Sequence, residues 1–204
     1  MTTIFYLDEA MTKPIMAVSD LPRLSFVHRE GVATGDAVIW VGYPDPLIKI
    51  IPTAESAVGE ITLSVVDALP DWAASKAYGR GALLEPTGGN GYMYKCTKAG
   101  QSDAVAPAVW PVERGAVVKS GTAEFTNLGP RFAGGSIKLA KSKAGLDVAS
   151  GGGSVSFGAE IVGSNKAATP VYIRCTNASA VVRSDETQPS LRLRLTESEF
   201  VDNF

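Results

Sequence analysis

Few side chains in this sequence have types and spacing suited to chemistry. The one histidine, His28, sits in SFVHREGVATGD with no cysteine and no second histidine near it. A single imidazole cannot assemble a multi-histidine metal site, so His28 reads as an ordinary strand or turn residue and no metal is expected. The composition permits a Ser–His–Asp assembly, but no nucleophile-elbow pattern accompanies it. No phosphate-binding GxxxxGK[ST] or GxGxxG follows a strand, and the runs GGNG (88–91) and GGGS (151–154) lack the helix such a cradle requires. Glu197 and Glu199 fall in a polar C-terminal stretch, where solvated charge is the default reading. Sequence spacing does not supply the spatial separation that a glycosidase pair needs. No catalytic residue and no cofactor emerge, and the chain reads as a non-enzyme.

Two further residue types bear on chemistry. Cys96 and Cys175 each end an apolar strand-like run, YMYKC and VYIRC. Two cysteines are too few for a disulfide framework, and both read as buried free thiols packing as small hydrophobes. Arg192 and Arg194 alternate with leucines in LRLRL. They suit either an interface, through planar multi-donor contacts, or the solvent face of an amphipathic strand, which is the plainer reading.

The totals restrict partners. The 204 residues carry a net charge of -2, so no basic field exists to draw in nucleic acid or an anionic membrane surface. No apolar run approaches the roughly 18 residues of a membrane-spanning helix, so no membrane insertion is expected. The opening MTTIFYLDEAMTKPIMAVSDLPR carries Asp8 and Glu9 and is interrupted by Pro14 and Pro22, and no secretory signal is read in it. Hydrophobic residues at 45% and charged residues at 20% suit a folded chain, and 21 glycines with 12 prolines favour many turns.

The elements that must position any site are strands. In SVSFGAEIVG, Val155, Phe157, Ala159 and Ile161 share one parity; in SLRLRLTE, Leu191, Leu193 and Leu195 do; in VYIRC, Val171, Ile173 and Cys175; in EITLSVV, Ile61, Leu63 and Val65. Such alternation places one face inside and one outside, as in antiparallel sheets. AVIWV around Trp40 is more continuously apolar and fits a strand covered on both faces. The runs GGNG and GGG supply the positive φ angles of tight connections. Helical signals are weak, a turn or two in DWAASKAY and KSKAGLDV. The fold class is mainly β, with small antiparallel β-sandwich-like domains and an inserted compact aromatic β-module.

Three segments follow from the pattern. Residues 1–66 form an N-terminal β region with strands around Phe26, Trp40, Ile48 and Ile61. Its start, with little pattern before Leu24, reads as an extended arm that orders on a neighbour. Residues 67–129 hold the aromatic cluster. Residues 130–204 carry four or five alternating strands, enough for a small sandwich. Two arrangements are open: separate terminal domains, or one domain completed by 1–66 and 130–204 together.

The aromatic cluster, PDWAASKAYGRGALLEPTGGNGYMYKCTKAGQSDAVAPAVWP, runs from Pro70 to Pro111 and contains two tryptophans and three tyrosines. Tyr92, Tyr94 and Cys96 share a face, and GAVVKSGTAEF beyond it reads as a short hairpin. The order Trp72, Tyr78, Gly81, Tyr92, Tyr94, Cys96, Gly100, Ser102, Pro107, Trp110, Pro111, Gly115, Val117 and Gly121 resembles small modules of the chitin-binding type. It resembles more closely the versions met in structural proteins of tailed bacteriophages. Ser120 stands where that pattern has an aspartate, and Phe125 where it has a closing tryptophan. The resemblance runs from Trp72 to Phe125, a little over a quarter of the chain.

What the resemblance implies is a virion protein, assembled in the host cytoplasm and acting by binding. Its partners would be other virion subunits and copies of itself, in the tail or baseplate or on the capsid surface. The rival implication is a carbohydrate-binding module for a host-surface glycan, with Trp72, Tyr78 and Trp110 as the stacking platform. Against that platform stands a core reading, in which a module too small for a large aliphatic interior fills it with rings of about 150–250 Å² each.

Overall fold

The computed structural model describes residues 4–15, 34–56, 59–131, 133–164, 168–176 and 191–203. Four strands precede the aromatic segment: β1 (Phe5–Tyr6), β2 (Thr34–Val41), β3 (Ile48–Pro52) and β4 (Thr62–Asp67). Within it lie β5 (Ala77–Tyr78), β6 (Leu83–Leu84), β7 (Tyr92–Lys98), β8 (Gly100–Gln101), β9 (Val117–Ser120) and β10 (Ala123–Pro130). After it come β11 (Ile137–Ala140), the one-turn helix α1 (Gly145–Val148), β12 (Ser154–Ser156), β13 (Ile161–Val162), β14 (Thr169–Thr176), β15 (Leu191–Leu195) and β16 (Ser198–Asp202). The fold is mainly β, made of several small antiparallel sheets.

The described residues fall into two compact units, one holding those of 1–66, 134–178 and 192–204, the other those of 67–133 and 179–191. In the first unit the sheet orders are β1-β2-β14-β11, β12-β4-β15 and β13-β3-β16, so each sheet joins strands from both sides of the aromatic segment. The alternation in VYIRC sets the register. Val171 lies opposite Ile39, Ile173 opposite Leu139 and Cys175 opposite Ile137, and all six are buried. On the other face Arg174 lies opposite Asp36 and grips its carboxylate with two nitrogens, at 2.8 and 2.9 Å. A third nitrogen reaches Asp147 of α1 at 2.6 Å.

Four expectations change here. SVSFGAEIVG is not one strand: Gly158, at φ +84°, breaks it, so β12 pairs with β4 and β13 with β3. Ala159 is consequently exposed. DWAASKAY forms no helix, because Ala77–Tyr78 is taken as a strand by Gly100–Gln101. Residues 4–15 do not extend as an arm; Phe5 and Tyr6 pair with Val41 and Trp40, and Tyr6 and Met11 pack with Ala168 and the half-buried Trp40. Glu199 lies not in a tail but on β16, which pairs with β3. Phe26 and His28 lie outside the described residues.

Candidate functional site

The aromatic unit is built on the sheet β6-β7-β10-β9. Its inner face aligns Leu84 with Tyr94, Cys96 with Phe125 and Phe125 with Val118, all buried. Trp72, Tyr78 and Ala123 complete this core, with Tyr92 and Trp110 packed against it. The rings meet edge to face, the geometry their quadrupoles favour. Tyr78 and Phe125 centroids are 5.1 Å apart at 89°, and Tyr94 and Trp110 are 4.7 Å apart at 67°.

The tips of Tyr78 and Tyr94 are tied to backbone. Tyr78 Oη accepts the Ala73 N–H at 2.7 Å. Tyr94 Oη donates to the Pro111 carbonyl at 2.9 Å and accepts from Asn90 Nδ2 at 2.8 Å. Burial raises the Tyr94 phenol above its ordinary pKa. Buried Asn127 adds a second donor to the Pro111 carbonyl.

The three platform residues therefore converge, but inward. Trp72 and Tyr78 are each 6% exposed, and Trp110 is half-buried against the same cluster. A sugar stacks on a ring face that water can reach, and neither Trp72 nor Tyr78 offers one. The Trp72 indole N–H is buried and has no acceptor among the described residues.

Sequence reasoning missed the polar groups that brace this core. Ser120, the departure from the aspartate pattern, is fully buried and accepts the Asp103 N–H at 3.0 Å, while Asp103 Oδ2 accepts the Gly121 N–H at 2.6 Å. Ser102, also buried, donates to the Ala73 carbonyl at 2.7 Å and accepts from the Lys76 N–H at 3.0 Å. Arg131 joins the two ends of the segment, reaching Asp67 and Glu85 at 3.0 Å each. Burial nevertheless raises the Glu85 pKa, with the Arg131 charge opposing and Asp71 and Asp67 reinforcing the shift. Only the polarity of these residues was visible in the sequence; their partners lie 17 to 64 positions away.

In the first unit a cleft of about 370 Å³ is lined by Glu55, Thr62, Ser64, Arg194, Thr196 and Glu197 among others. Arg194 pairs with Glu197 at 3.3 Å, and no histidine or cysteine lines the cleft. Arg192 and Arg194 are exposed. Among the described residues, no group of three or more His, Cys, Asp or Glu is placed to hold a metal ion. Both cysteines are free and buried; burial pushes the Cys175 thiol up to about 11 and raises that of Cys96, which disfavours the nucleophilic thiolate. No described helix is long and apolar enough to cross a membrane. Comparison with known protein families, curated proteins and solved structures returns no match.

Proposed function

We propose that this chain is a non-enzymatic structural component of a tailed-phage particle, in the tail or baseplate or decorating the capsid, and that it works by binding other virion subunits. In this reading the first unit is β-sandwich-like and the 67–129 module is an insertion displayed at the surface of the particle. The observation that carries the proposal is the inward convergence of Trp72, Tyr78, Trp110 and Phe125. Residues in the order of the phage-type module are spent on a rigid core, which leaves its outer surface for subunit contact. Mass spectrometry of purified particles tests this directly: the chain is expected in the virion, and its absence overturns the proposal. Copy number then separates the positions, a few copies for a tail tip and hundreds for a shell. On a glycan array no selective binding is expected; selective binding that a folded Trp110→Ala variant loses would put the carbohydrate-binding reading in its place.

A further inference from the structure

Asn90, in the GGNG run that leads into β7, is the one asparagine in the sequence that a glycine follows; the others precede Leu128, Lys166, Ala178 and Phe204. That pair sets an electrophile beside a nucleophile, the side-chain carboxamide of one residue and the peptide nitrogen of the next. Attack between them closes a five-membered ring, an intramolecular step that needs no catalyst once the atoms are positioned.

The structure positions them. Asn90 and Gly91 are both exposed, so water and hydroxide reach the pair. Gly91 lies at φ +80° with nothing within 4 Å of where a Cβ would stand, which leaves its nitrogen uncrowded. The Gly91 carbonyl accepts from the Arg131 N–H at 2.9 Å, whereas its own N–H has no acceptor among the described residues. Asn90 Oδ1 accepts the Tyr92 N–H at 3.0 Å, a turn that folds the carboxamide back over the intervening Gly91 peptide. The same bond places a donor on the oxygen that becomes negative when the carbon is attacked. Asn90 Nδ2 donates to Tyr94 Oη at 2.8 Å, which fixes the remaining rotation of the carboxamide.

We propose that Asn90–Gly91 is a site of spontaneous covalent modification, at which the folded chain converts asparagine to isoaspartate and aspartate and thereby releases the Tyr94 tip. Hydroxide removes the Gly91 amide proton, and the nitrogen attacks Asn90 Cγ. The Tyr92 N–H bonds the oxyanion formed on Oδ1. As it collapses, the Cγ–Nδ2 bond breaks and the nitrogen leaves as ammonia, taking a proton from water and returning the hydroxide. Water then opens the succinimide at either carbonyl. Breaking the new bond to Cγ gives aspartate, and breaking the bond to the Asn90 backbone carbonyl carbon gives isoaspartate. One ammonia is lost and one water gained, with no change of oxidation state.

Neither product can keep the bonds that Asn90 makes. Tyr94 gives its proton to the Pro111 carbonyl, so its oxygen must accept, and a carboxylate has no hydrogen to offer. Isoaspartate also lengthens the main chain by one carbon at the entry to β7. Tyr94 and Asn127 together hold the Pro111 carbonyl, in the loop where Val105, Val109 and Val112 are 77%, 74% and 59% exposed. Modification at Asn90 therefore loosens that loop from one side, slowly and in one direction. This inference stands independently of the virion reading.

Peptide mapping of the full chain, held folded for weeks near pH 7.4 and about 37 °C, tests it. The peptide carrying Asn90 is expected to gain about 1 Da and to split into two products, one of them a methyl acceptor for an isoaspartyl methyltransferase. Conversion there should run at least five-fold ahead of that at Asn127 or Asn203, and Asn90→Gln, whose attack would close a six-membered ring, should leave the site unchanged. Hydrogen exchange across residues 103–112 should be at least about three-fold faster in a folded Asn90→Asp variant than in fresh wild type. An Asn90 peptide of constant mass, conversion no faster than at Asn127, or equal loop exchange in the two proteins overturns the inference.

Discussion

The indole of Trp72 is held for its bulk. Its carbonyl accepts from Thr87 Oγ1 at 3.0 Å and its backbone N–H bonds to the Glu85 carbonyl at 2.7 Å, but the ring N–H has no acceptor among the described residues. An unpaired buried donor costs about 1–3 kcal/mol, so a ring without one can nearly replace it. Trp72→Phe is therefore expected to cost less than about 1.5 kcal/mol, volume loss offsetting donor removal, whereas Trp72→Ala costs about 3–5 kcal/mol through the cavity it leaves. Urea unfolding followed at the remaining tryptophans measures both; equal losses would mean that the N–H, and not the ring, is what the site uses. The sequence marks Trp72 as one of a set of spaced rings. It does not mark which ring faces out, because that depends on where β6 and β7 place their inner faces.

At the scale of elements, the β9–β10 hairpin turns on Gly121, at φ +58°, where an added Cβ would overlap the Gln101 carbonyl oxygen. Gly121→Ala meets both the left-handed backbone penalty and that overlap, and the clash falls on backbone that cannot swing aside. A loss of about 3 kcal/mol or more is expected, read as a lowered urea midpoint, compared with about 1–2 kcal/mol for Gly81→Ala, which meets the backbone penalty alone. Gly81 also has a positive φ, +93°, but nothing within 4 Å of its Cβ position. Similar denaturant midpoints for the two variants would show that φ alone matters. The hairpin itself was legible, as two alternating runs around a glycine. The break at Gly158 was not, since SVSFGAEIVG keeps its period of two straight through it. Period fixes which side chains share a face, while the partner strand decides where pairing stops.

At the scale of the molecule, Asp36 and Glu85 respond to pH in opposite senses. The Arg174 hydrogen bonds hold Asp36 below its ordinary 3.8, so its pairing stabilises the fold above that value and the contribution is lost as pH falls through the depressed one. Glu85 is raised above its ordinary 4.5 by burial, so its contribution is fully present below 4.5 and is lost as pH rises through the raised value. Acidification from pH 7 toward 4.5 should therefore favour the aromatic unit, and further acidification below 3.8 should weaken the first unit. Glu85→Gln is expected to flatten the first of these changes and leave the second. Hydrogen exchange at pH 7, 5 and 3 resolves the units separately, and an E85Q profile that still climbs toward pH 5 would refute the assignment to Glu85.

The sequence by itself determined the mainly β class, the alternating faces, the buried free thiols and the positive-φ glycines, three in GGNG and Gly152 in GGG. These are local properties, set by side-chain period and by the absence of a Cβ. Tertiary structure decided which strands pair, that three sheets each draw on both ends of the chain, and that β1 folds back onto β2. It also decided what the rings from Trp72 to Trp110 touch. Aromatic spacing is the same whether rings form a platform or a core. Only the sheet beneath Tyr94 and Phe125, with Ser120, Asp103 and Asn127 pinning the loop above it, turns the rings inward and leaves three valines facing water.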